Sequence, residues 1–271
     1  MKLALVFQES RARERELKEC WKRGAVALGF SITGMQVADT IVTWGPRPEF
    51  LPIYDDFLAR GKRVLCMDFG YWGKHPGHEY YKITINGIHP PPPALRETLP
   101  PERYLALQPP AIMPWREGGK HILIAGMGLK GCIAYRMGHL AWDRQAVETL
   151  RRSSKRELWY RKKPSFKGNV VMPGARLVDA KIPISEQMKT AYAVVTHHGA
   201  SALQALAMGI PVFVHTGIFT ALAEQDLTRI EQPKHPDNRE QFFWNLAHWQ
   251  WTKEEIAAGL PLISYQERGF L

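Results

Sequence analysis

The stretch AVVTHHGASALQALAMGIPVFV, at residues 193–214, decides which fold this chain takes. Residues 193–195 are apolar throughout, which predicts a short strand covered on both faces of a parallel sheet. From Leu203 onward, apolar residues recur at the i, i+3, i+4 spacing of a buried helical stripe. Gly209, with a proline soon after it, is typical of a helix end, and residues 212–214 then form the next strand. The stretch therefore predicts strand, polar turn, helix, turn and strand, which is the repeating unit of an α/β sheet.

The polar turn inside this stretch is the first candidate site. Its residues are small or polar and stand where the helix begins: His197, His198, Gly199, Ala200 and Ser201. The first N–H groups of a helix have no partner within it, and the helix dipole is positive there, so such a turn suits a phosphate. The alternative is a tightly packed turn in which the glycine and the serine serve only the backbone.

The same segment resembles the C-terminal half of GT-B glycosyltransferases, in which a G-x-S-x-x-E-A-L-x-x-G-x-P-V segment cradles the diphosphate of a nucleotide sugar. The matching residues are Gly199, Ser201, Ala205, Leu206, Gly209, Pro211 and Val212. The acid that often binds the ribose hydroxyls of the donor is Gln204 here, which can still hydrogen-bond a hydroxyl but carries no charge. The resemblance implies a nucleotide-sugar donor held at this turn.

The rest of the chain repeats the strand–helix alternation on both sides of a proline-rich stretch. Three strands and two helices are predicted within the first 68 residues, and a second series begins at residue 121. We therefore expect an α/β chain with two Rossmann-like domains facing across a cleft, the GT-B arrangement. The expected divisions are an acceptor domain at 1–90, a connector at 91–117, a donor domain at 118–240, and a closing helix and tail at 241–271.

Two further loops of the donor domain are candidates for contact with the donor. A G-x-G-x-x-G spacing at 126–131 follows a strand, but no acid ends a second strand roughly 20 residues on, which weighs against a dinucleotide site. In GT-B enzymes this loop often faces the donor phosphates, which implies roles for Gly128 and Lys130. The run Arg161-Lys162-Lys163-Pro164 resembles a capsule-type segment in which basic residues approach those phosphates, which implies roles for Arg161 and Lys162.

Metal ligands are not expected at the donor site. No D-x-D motif stands in a convincing loop, so protein groups rather than an obligatory metal are expected to neutralise the diphosphate, although the need for a divalent ion is left open. The pair His197-His198 is an unfavourable metal site because adjacent side chains seldom point together. No cofactor beyond the sugar donor, a UDP-sugar, is expected.

The segment Asp68-Phe69-Gly70-Tyr71 carries the candidate catalytic base. Asp68 ends a predicted strand, 63–68, and the segment loosely resembles E-D-G-F of capsule-type Kdo transferases, with Phe69 replacing the second acid. A carboxylate there could take the proton of an acceptor hydroxyl, or Asp68 could simply cap the loop. Aromatic and histidine side chains near this position are candidates for stacking on a sugar or a flipped base, with packing as the alternative: Trp44, Tyr71, Trp72 and His75.

The charge of the chain bears on the acceptor. The net charge is +10, and residues 120–167 hold twelve Lys and Arg against three acids. Such a block indicates a polyanionic partner, although part of it could bind the donor diphosphate or form a solvated helix face. We expect double-stranded DNA, with sugar moving from UDP-glucose to a 5-hydroxymethyl pyrimidine, as in phage DNA glucosyltransferases. The alternatives are a capsule or lipopolysaccharide glycosyltransferase, and a degenerate GT-B-like nucleotide or nucleic-acid binding module.

Composition points to a protein of a reducing compartment. Apolar residues make up 45% and charged residues 23%, as in ordinary globular proteins. The first seven residues predict a strand rather than a signal peptide, and no apolar run approaches the roughly 18 residues of a membrane span. Three widely separated cysteines argue against a disulfide framework or a zinc site: Cys20, Cys66 and Cys132. The expected location is the cytoplasm, which would be the host cytoplasm if a phage encodes the chain. The end segment QWTKEEIAAG, at 250–259, also resembles the closing segment of bacterial and phage-type glycosyltransferases related to capsule synthesis.

Overall fold

A computed structural model describes residues 1–45, 47–75, 78–166 and 168–271, apart from the side chains of residues 73–75 and 78. The chain forms two compact units, of which the first combines Met1–Pro109 with Gln241–Leu271 and the second is Pro110–Glu240. The predicted connector, 91–117, is thus shared between the two units. Among the described residues, no helix combines the length and the apolar character that crossing a membrane requires.

The chain builds most of the first unit, then the second, and then returns to the first. The first part contains β1 (Lys2–Val6), α1 (Ala12–Ala27), β2 (Ser31–Ile32), β3 (Thr40–Trp44), α2 (Leu51–Ala59), β4 (Arg63–His75), β5 (His78–Ile85) and α3 (Glu102–Ala106). The second unit contains β6 (His121–Ala125), α4 (Leu129–Ala134), α5 (Ala141–Ser153), β7 (Glu157–Arg161), β8 (Arg176–Leu177), α6 (Ile184–Met188), β9 (Ala191–Thr196), α7 (Ala200–Ala207) and β10 (Val212–Val214). The return contains α8 (Arg239–Ala247), β11 (Gln250–Trp251), α9 (Lys253–Ala257) and α10 (Leu260–Glu267). Short 3-10 helices occupy Pro92–Leu95, Ile218–Ala221 and Leu227–Arg229.

The sheet of the first unit is parallel on one side and antiparallel on the other. Its strand order is β11-β5-β4-β3-β1-β2. The strands β2, β1, β3 and β4 run parallel, as the strand–helix alternation predicts, whereas β5 and β11 are added antiparallel. Strands β2 and β11 have two residues each, so they are too short to show the hydrophobic pattern from which a strand is predicted.

Strand β4 is longer than predicted. The sequence indicates a strand that ends at Asp68, but β4 continues to residue 75 and forms a hairpin with β5. Gly70 makes this possible, because a Cβ there would lie 2.5 Å from Oε1 of Gln250 and 3.0 Å from the Cβ of Tyr80. The prediction that Asp68 ends a strand is therefore wrong.

The sheet of the second unit is parallel throughout, in the order β10-β9-β6-β7-β8. The chain moves from β6 to β7 on one side and later places β9 on the other side of β6. Helix α5 covers the sheet with four buried apolar residues that pack in one core with residues of β6 and β7: Trp142, Ala146, Val147 and Leu150. The strand, helix and strand predicted for 193–214 are confirmed. In open sheets of this kind, ligands bind at the carboxyl ends of the strands where the strand order reverses, here between β6 and β9.

Candidate functional site

A cavity of about 280 Å³ opens at that position, at the carboxyl ends of β6, β7 and β9. The residues that line it come from three strand ends with the loops that follow them, from the first residue of α6 and from the start of α7: Ala125, Gly126, Met127, Gly128, Arg161, Lys162, Lys163, Pro164, Ile184, Thr196, His198, Gly199, Ala200, Ser201 and Gln204. Each loop directly follows a strand of the parallel sheet, so the fold itself brings these distant segments together.

The turn after β9 forms one wall of the cavity. Gly199 precedes α7 with a φ of 136°, a conformation that side chains with a Cβ rarely adopt. Because glycine has no side chain, α7 begins without a side-chain cap. Ala200, Ser201 and Gln204 lie on the part of α7 that lines the cavity. The structure therefore directs the positive end of α7 at the cavity, together with one hydroxyl and one amide side chain.

The glycine loop after β6 forms a second wall and is held from behind by a buried carboxylate. Oδ1 of Asp143 accepts a hydrogen bond from the backbone N–H of Met127 at 3.0 Å and another from the hydroxyl of Tyr160 at 3.1 Å. Burial raises the pKa of Asp143. Gly128 lines the cavity as predicted, whereas Lys130 is exposed on α4 and is absent from the lining.

Basic residues after β7 form the third wall. Arg161 is buried, and its Nη2 donates to the carbonyls of Ala180 at 3.0 Å and Ile182 at 2.9 Å. Its Nε is buried without a hydrogen-bond partner in the structure. Burial lowers the pKa of Arg161, although a guanidinium stays cationic in proteins. Nζ of Lys162 donates to the carbonyl of Gly168 at 3.0 Å.

Lys163 also lines the cavity, and it is not among the residues predicted for the site. Its carbon chain lies so close to Gly128 that a Cβ on that glycine would overlap it. The signal was present in the sequence, since Lys163 belongs to the basic run that begins at the end of β7. The approach of Lys163 to the glycine loop after β6 joins segments that are distant along the chain, so spacing along β7 could not predict it.

The two predicted histidines take different positions. His198 lines the cavity, and His197 lies behind it, 2% exposed, with the two Nδ1 atoms 2.9 Å apart. Burial and the nearby ring of His215 lower the pKa of His197 to about 4, so this imidazole is neutral at neutral pH.

The cavity as a whole is suited to an anion. Its lining contains three basic side chains, one imidazole and the start of a helix, and none of its described lining residues is Asp or Glu. Within the described ranges, no group of three or more His, Cys, Asp or Glu is placed to hold a metal ion. Fixed cations and helix N–H groups are the elements that bind diphosphates in proteins.

The candidates in the first unit are mostly engaged in packing. Asp68 lies within β4 opposite Lys82, and its Oδ1 accepts the N–H of Phe69 at 2.8 Å. Trp44 is buried and meets the rings of Phe69 and Tyr81 edge to face.

Two more aromatic candidates lie farther along β4. Trp72 packs edge to face on Tyr104 and Phe243, which are both residues of the first unit. The hydroxyl of Tyr71 lies 3.1 Å from Nδ1 of His89. The side chain of His75 lies outside the described part of the structure.

Comparisons with known proteins identify the fold. No family model and no curated protein matches the chain. The β-Kdo 2,7-transferase KpsC of Thermosulfurimonas dismutans matches 97% of this chain and 99% of its own, with a TM-score of 0.54 and 13% identity. The β-Kdo 2,4-transferase KpsC of the same organism matches 89% of each chain, with a TM-score of 0.52 and 10% identity. At these identities the similarity concerns the fold alone: this chain is an α/β protein with two Rossmann-like units, the GT-B fold, and its structure resembles those of the two Kdo transferases.

Proposed function

We propose that this chain is a nucleotide-sugar-dependent glycosyltransferase that binds the diphosphate of its donor in the cavity of the second unit. The observation that carries this proposal is the convergence of three basic side chains and the start of α7 on one cavity without a carboxylate in its described lining. A leaving diphosphate carries negative charge that grows as the bond to the sugar breaks, and preorganised cations and N–H groups stabilise it most at that stage.

Each wall of the cavity has a role in this proposal. The N–H groups at the start of α7 and the hydroxyl of Ser201 bind phosphate oxygens. Arg161 and Lys162 supply positive charge from the opposite wall, together with Lys163. Gln204 hydrogen-bonds a ribose hydroxyl. Because protein cations surround the diphosphate, we propose that the donor site works without an obligatory metal. We propose a UDP-sugar as the donor, with UDP-glucose as the first to test.

Thermal stability with and without nucleotide tests the donor site. A ligand that binds only the folded state at about 100 times its Kd adds roughly 2.7 kcal/mol of stability, so UDP or UDP-glucose should raise the Tm by several degrees. The double variant Gly199→Val, Ser201→Ala should lose this shift, because a valine disfavours the φ of residue 199 and the hydroxyl is gone.

A matched control carries the same two replacements away from the cavity, as Gly29→Val with Ser10→Ala. Gly29 also has a positive φ, of 76°, and Ser10 is exposed. This control should keep the full shift. If the cavity variant is folded and still shows the parental shift, the donor binds elsewhere.

We further propose a hydroxyl acceptor, a 5-hydroxymethyl pyrimidine in double-stranded DNA, with Asp68 as the base that takes the hydroxyl proton. The basic composition of the second unit supports a polyanionic acceptor. The second candidate is a capsule or lipopolysaccharide glycan, which the fold similarity to Kdo transferases favours. A degenerate binding module is the third possibility, and it would bind nucleotide without transferring sugar.

A further inference from the structure

The two histidines after β9 form a direct link between the interior of the second unit and the cavity. Their Nδ1 atoms are 2.9 Å apart, which is hydrogen-bonding distance. Around the buried His197, the centroids of three rings lie at 4.7 Å for Tyr135, 5.4 Å for Trp142 and 4.9 Å for His215. His198 forms part of the cavity wall. The imidazole of His198 therefore lines the proposed donor site, and the imidazole of His197 lies behind it within hydrogen-bonding distance.

The environment decides which imidazole can hold a positive charge. His197 is enclosed by aromatic rings and faces a third histidine, so an imidazolium there would be desolvated and repelled. The lowered pKa of His197 agrees with this geometry. His198 borders the cavity, where a bound anion would balance its charge. A proton added to the pair is therefore held by His198 and not by His197.

The hydrogen-bonding roles follow from that assignment. An imidazolium carries hydrogen on both ring nitrogens and can only donate. When His198 is protonated, its Nδ1–H must therefore donate to Nδ1 of His197, which accepts as a neutral ring with its own proton on Nε2. The neutral partner stabilises the cation through this bond without carrying charge itself.

Among the described residues, the cations that line the cavity beside the pair act in one direction. Tyr135, directly after α4, lies beside the ring of His198, and His215 after β10 faces His197. The end of β7 and the loop after it add three cations to the same cavity: Arg161, Lys162 and Lys163. With the cavity empty, these cations oppose protonation of His198. A diphosphate reverses the local field, so protonation becomes favourable when the anion is bound.

We propose that His197 and His198 form a proton-accepting pair that couples diphosphate binding to the uptake of one proton from solvent onto His198, with His197 as the positioning residue that accepts the Nδ1–H. This inference rests on the proposed donor site and adds a regulation to it. The cationic pair stabilises the diphosphate as it leaves the sugar, and return of the proton to solvent favours release of the nucleotide product.

The test is the affinity for inorganic pyrophosphate as a function of pH, measured by calorimetry on the intact chain. By linkage, each proton taken up on binding adds about one tenfold step in affinity per pH unit of acidification. Pyrophosphate itself titrates, so the informative quantity is the difference from His198→Gln, which keeps a neutral donor near the position of Nε2. Between pH 8 and 6, the logarithm of the affinity for pyrophosphate should rise more steeply with acidification in the parent than in His198→Gln. The difference in slope should correspond to the uptake of up to about one proton.

Two substitutions at position 197 separate positioning from packing. His197→Asn keeps an acceptor near the place of Nδ1 and should retain the steep parental slope. His197→Phe keeps an aromatic ring without the acceptor and should show the shallow slope of His198→Gln. A purely structural role for His197 predicts the opposite: His197→Phe would keep the steep slope and His197→Asn would lose it, because phenylalanine fills the aromatic enclosure better than asparagine does.

Nitrogen-15 NMR of the imidazoles of the parent protein provides a readout that needs no variant. With pyrophosphate bound at neutral pH, His198 should show two protonated nitrogens and His197 an unprotonated Nδ1. If pyrophosphate binds while the parent and His198→Gln have equal slopes, or if His198 stays neutral in the complex, the pair is not proton-coupled and the donor site still stands. If the parent binds no pyrophosphate, both the proposed donor site and the proposed proton coupling are wrong.

Discussion

At the scale of single residues, the site depends on side chains that are buried behind it. Asp143 holds the glycine loop through the N–H of Met127, and Arg161 holds the loop near residue 180 through two carbonyls. Neither residue needs to move when a ligand enters, because both are fixed by hydrogen bonds within the unit. Such support keeps the groups that face the ligand in place before it arrives.

Burial of His197 predicts an acid-dependent loss of stability. Its pKa is about 4 in the folded chain and 6.5 as the ordinary value, so between these pH values the folded state binds fewer protons than the unfolded state. The stabilisation is complete above pH 6.5 and is lost as the pH falls toward 4, by roughly 3 kcal/mol at 1.36 kcal/mol per pKa unit.

Urea unfolding from pH 7.5 to 4.5, on the parent and on His197→Phe, measures this contribution. The variant lacks the titrating group, so its free energy of unfolding should fall less steeply over the same range. Groups far from His197 titrate alike in both proteins and cancel in the difference. Parallel curves for the two proteins would show that His197 is protonated equally in the folded and unfolded states.

At the scale of elements, close approach of backbones positions several helices. Gly24 of α1 lies directly against the end of α9, where an added Cβ would overlap the carbonyl of Ile256 and lie 2.7 Å from the nitrogen of Gly259. The helical periodicity of Leu17, Cys20, Trp21 and Gly24 agrees with the buried face of α1. Periodicity did not predict that the return segment, 241–271, packs against α1, because a local pattern contains no information about contacts between residues more than 200 positions apart.

Gly24→Val should therefore destabilise the first unit. Both backbones would have to move apart, and overpacking of this kind costs about 1–3 kcal/mol or more. The matched control is Ala27→Val, in the exposed last turn of the same helix, which should cost only its helix propensity, about half a kcal/mol. Thermal or urea unfolding of both variants measures the difference. Equal stabilities would contradict the close packing of α1 and α9.

At the scale of the whole molecule, the basic residues behind the net charge of +10 lie in different places. Of the twelve basic residues at 120–167, some line the cavity and others gather at the end of α5, where they border two shallow depressions: Arg151, Arg152, Lys155 and Arg156. Since α5 returns the chain to the start of β7, its end lies at the amino ends of the strands. A five-residue strand spans about 17 Å, so this basic edge and the cavity lie at opposite ends of the sheet.

This separation predicts how DNA would bind if it is the acceptor. The basic edge would contact duplex phosphates away from the reacting base, so Arg151→Gln with Arg152→Gln should weaken duplex binding at low salt. The slope of log affinity against log salt should fall by about 2, because roughly 0.9 counterions are released per neutralised phosphate. Affinity for UDP should not change. Fluorescence anisotropy with hydroxymethylated duplex DNA measures the first quantity and calorimetry the second.

Lys22→Gln with Arg23→Gln removes the same charge from exposed positions of the first unit and serves as the control. Mass spectrometry of the nucleosides after incubation with UDP-glucose then reports transfer to hydroxymethylated DNA but not to plain DNA. Asp68→Asn should bind both substrates and transfer no sugar. Absence of duplex binding at physiological salt, or equal weakening by the control pair, would remove DNA as the acceptor and leave the glycan.

The sequence alone determined the parts of this protein whose signals are local. The stretch at 193–214 predicted β9, α7 and β10 and placed Gly199 and Ser201 at a helix start, because strand burial, helical periodicity and a glycine turn are all written in neighbouring residues. The same holds for the longer parallel strands of both units, where apolar runs alternate with helices: β1, β3, β6 and β7.

Only the tertiary structure decided which residues share a surface. It brought Lys163 and not Lys130 to the cavity, buried His197 behind His198, and extended β4 beyond Asp68 into a hairpin. Each of these outcomes depends on a contact with a distant segment: the loop after β6, the rings of Tyr135 and Trp142, and the strand β11. Periodicity reports which face of an element is apolar, but the partner that covers that face is selected by the packing of the whole unit.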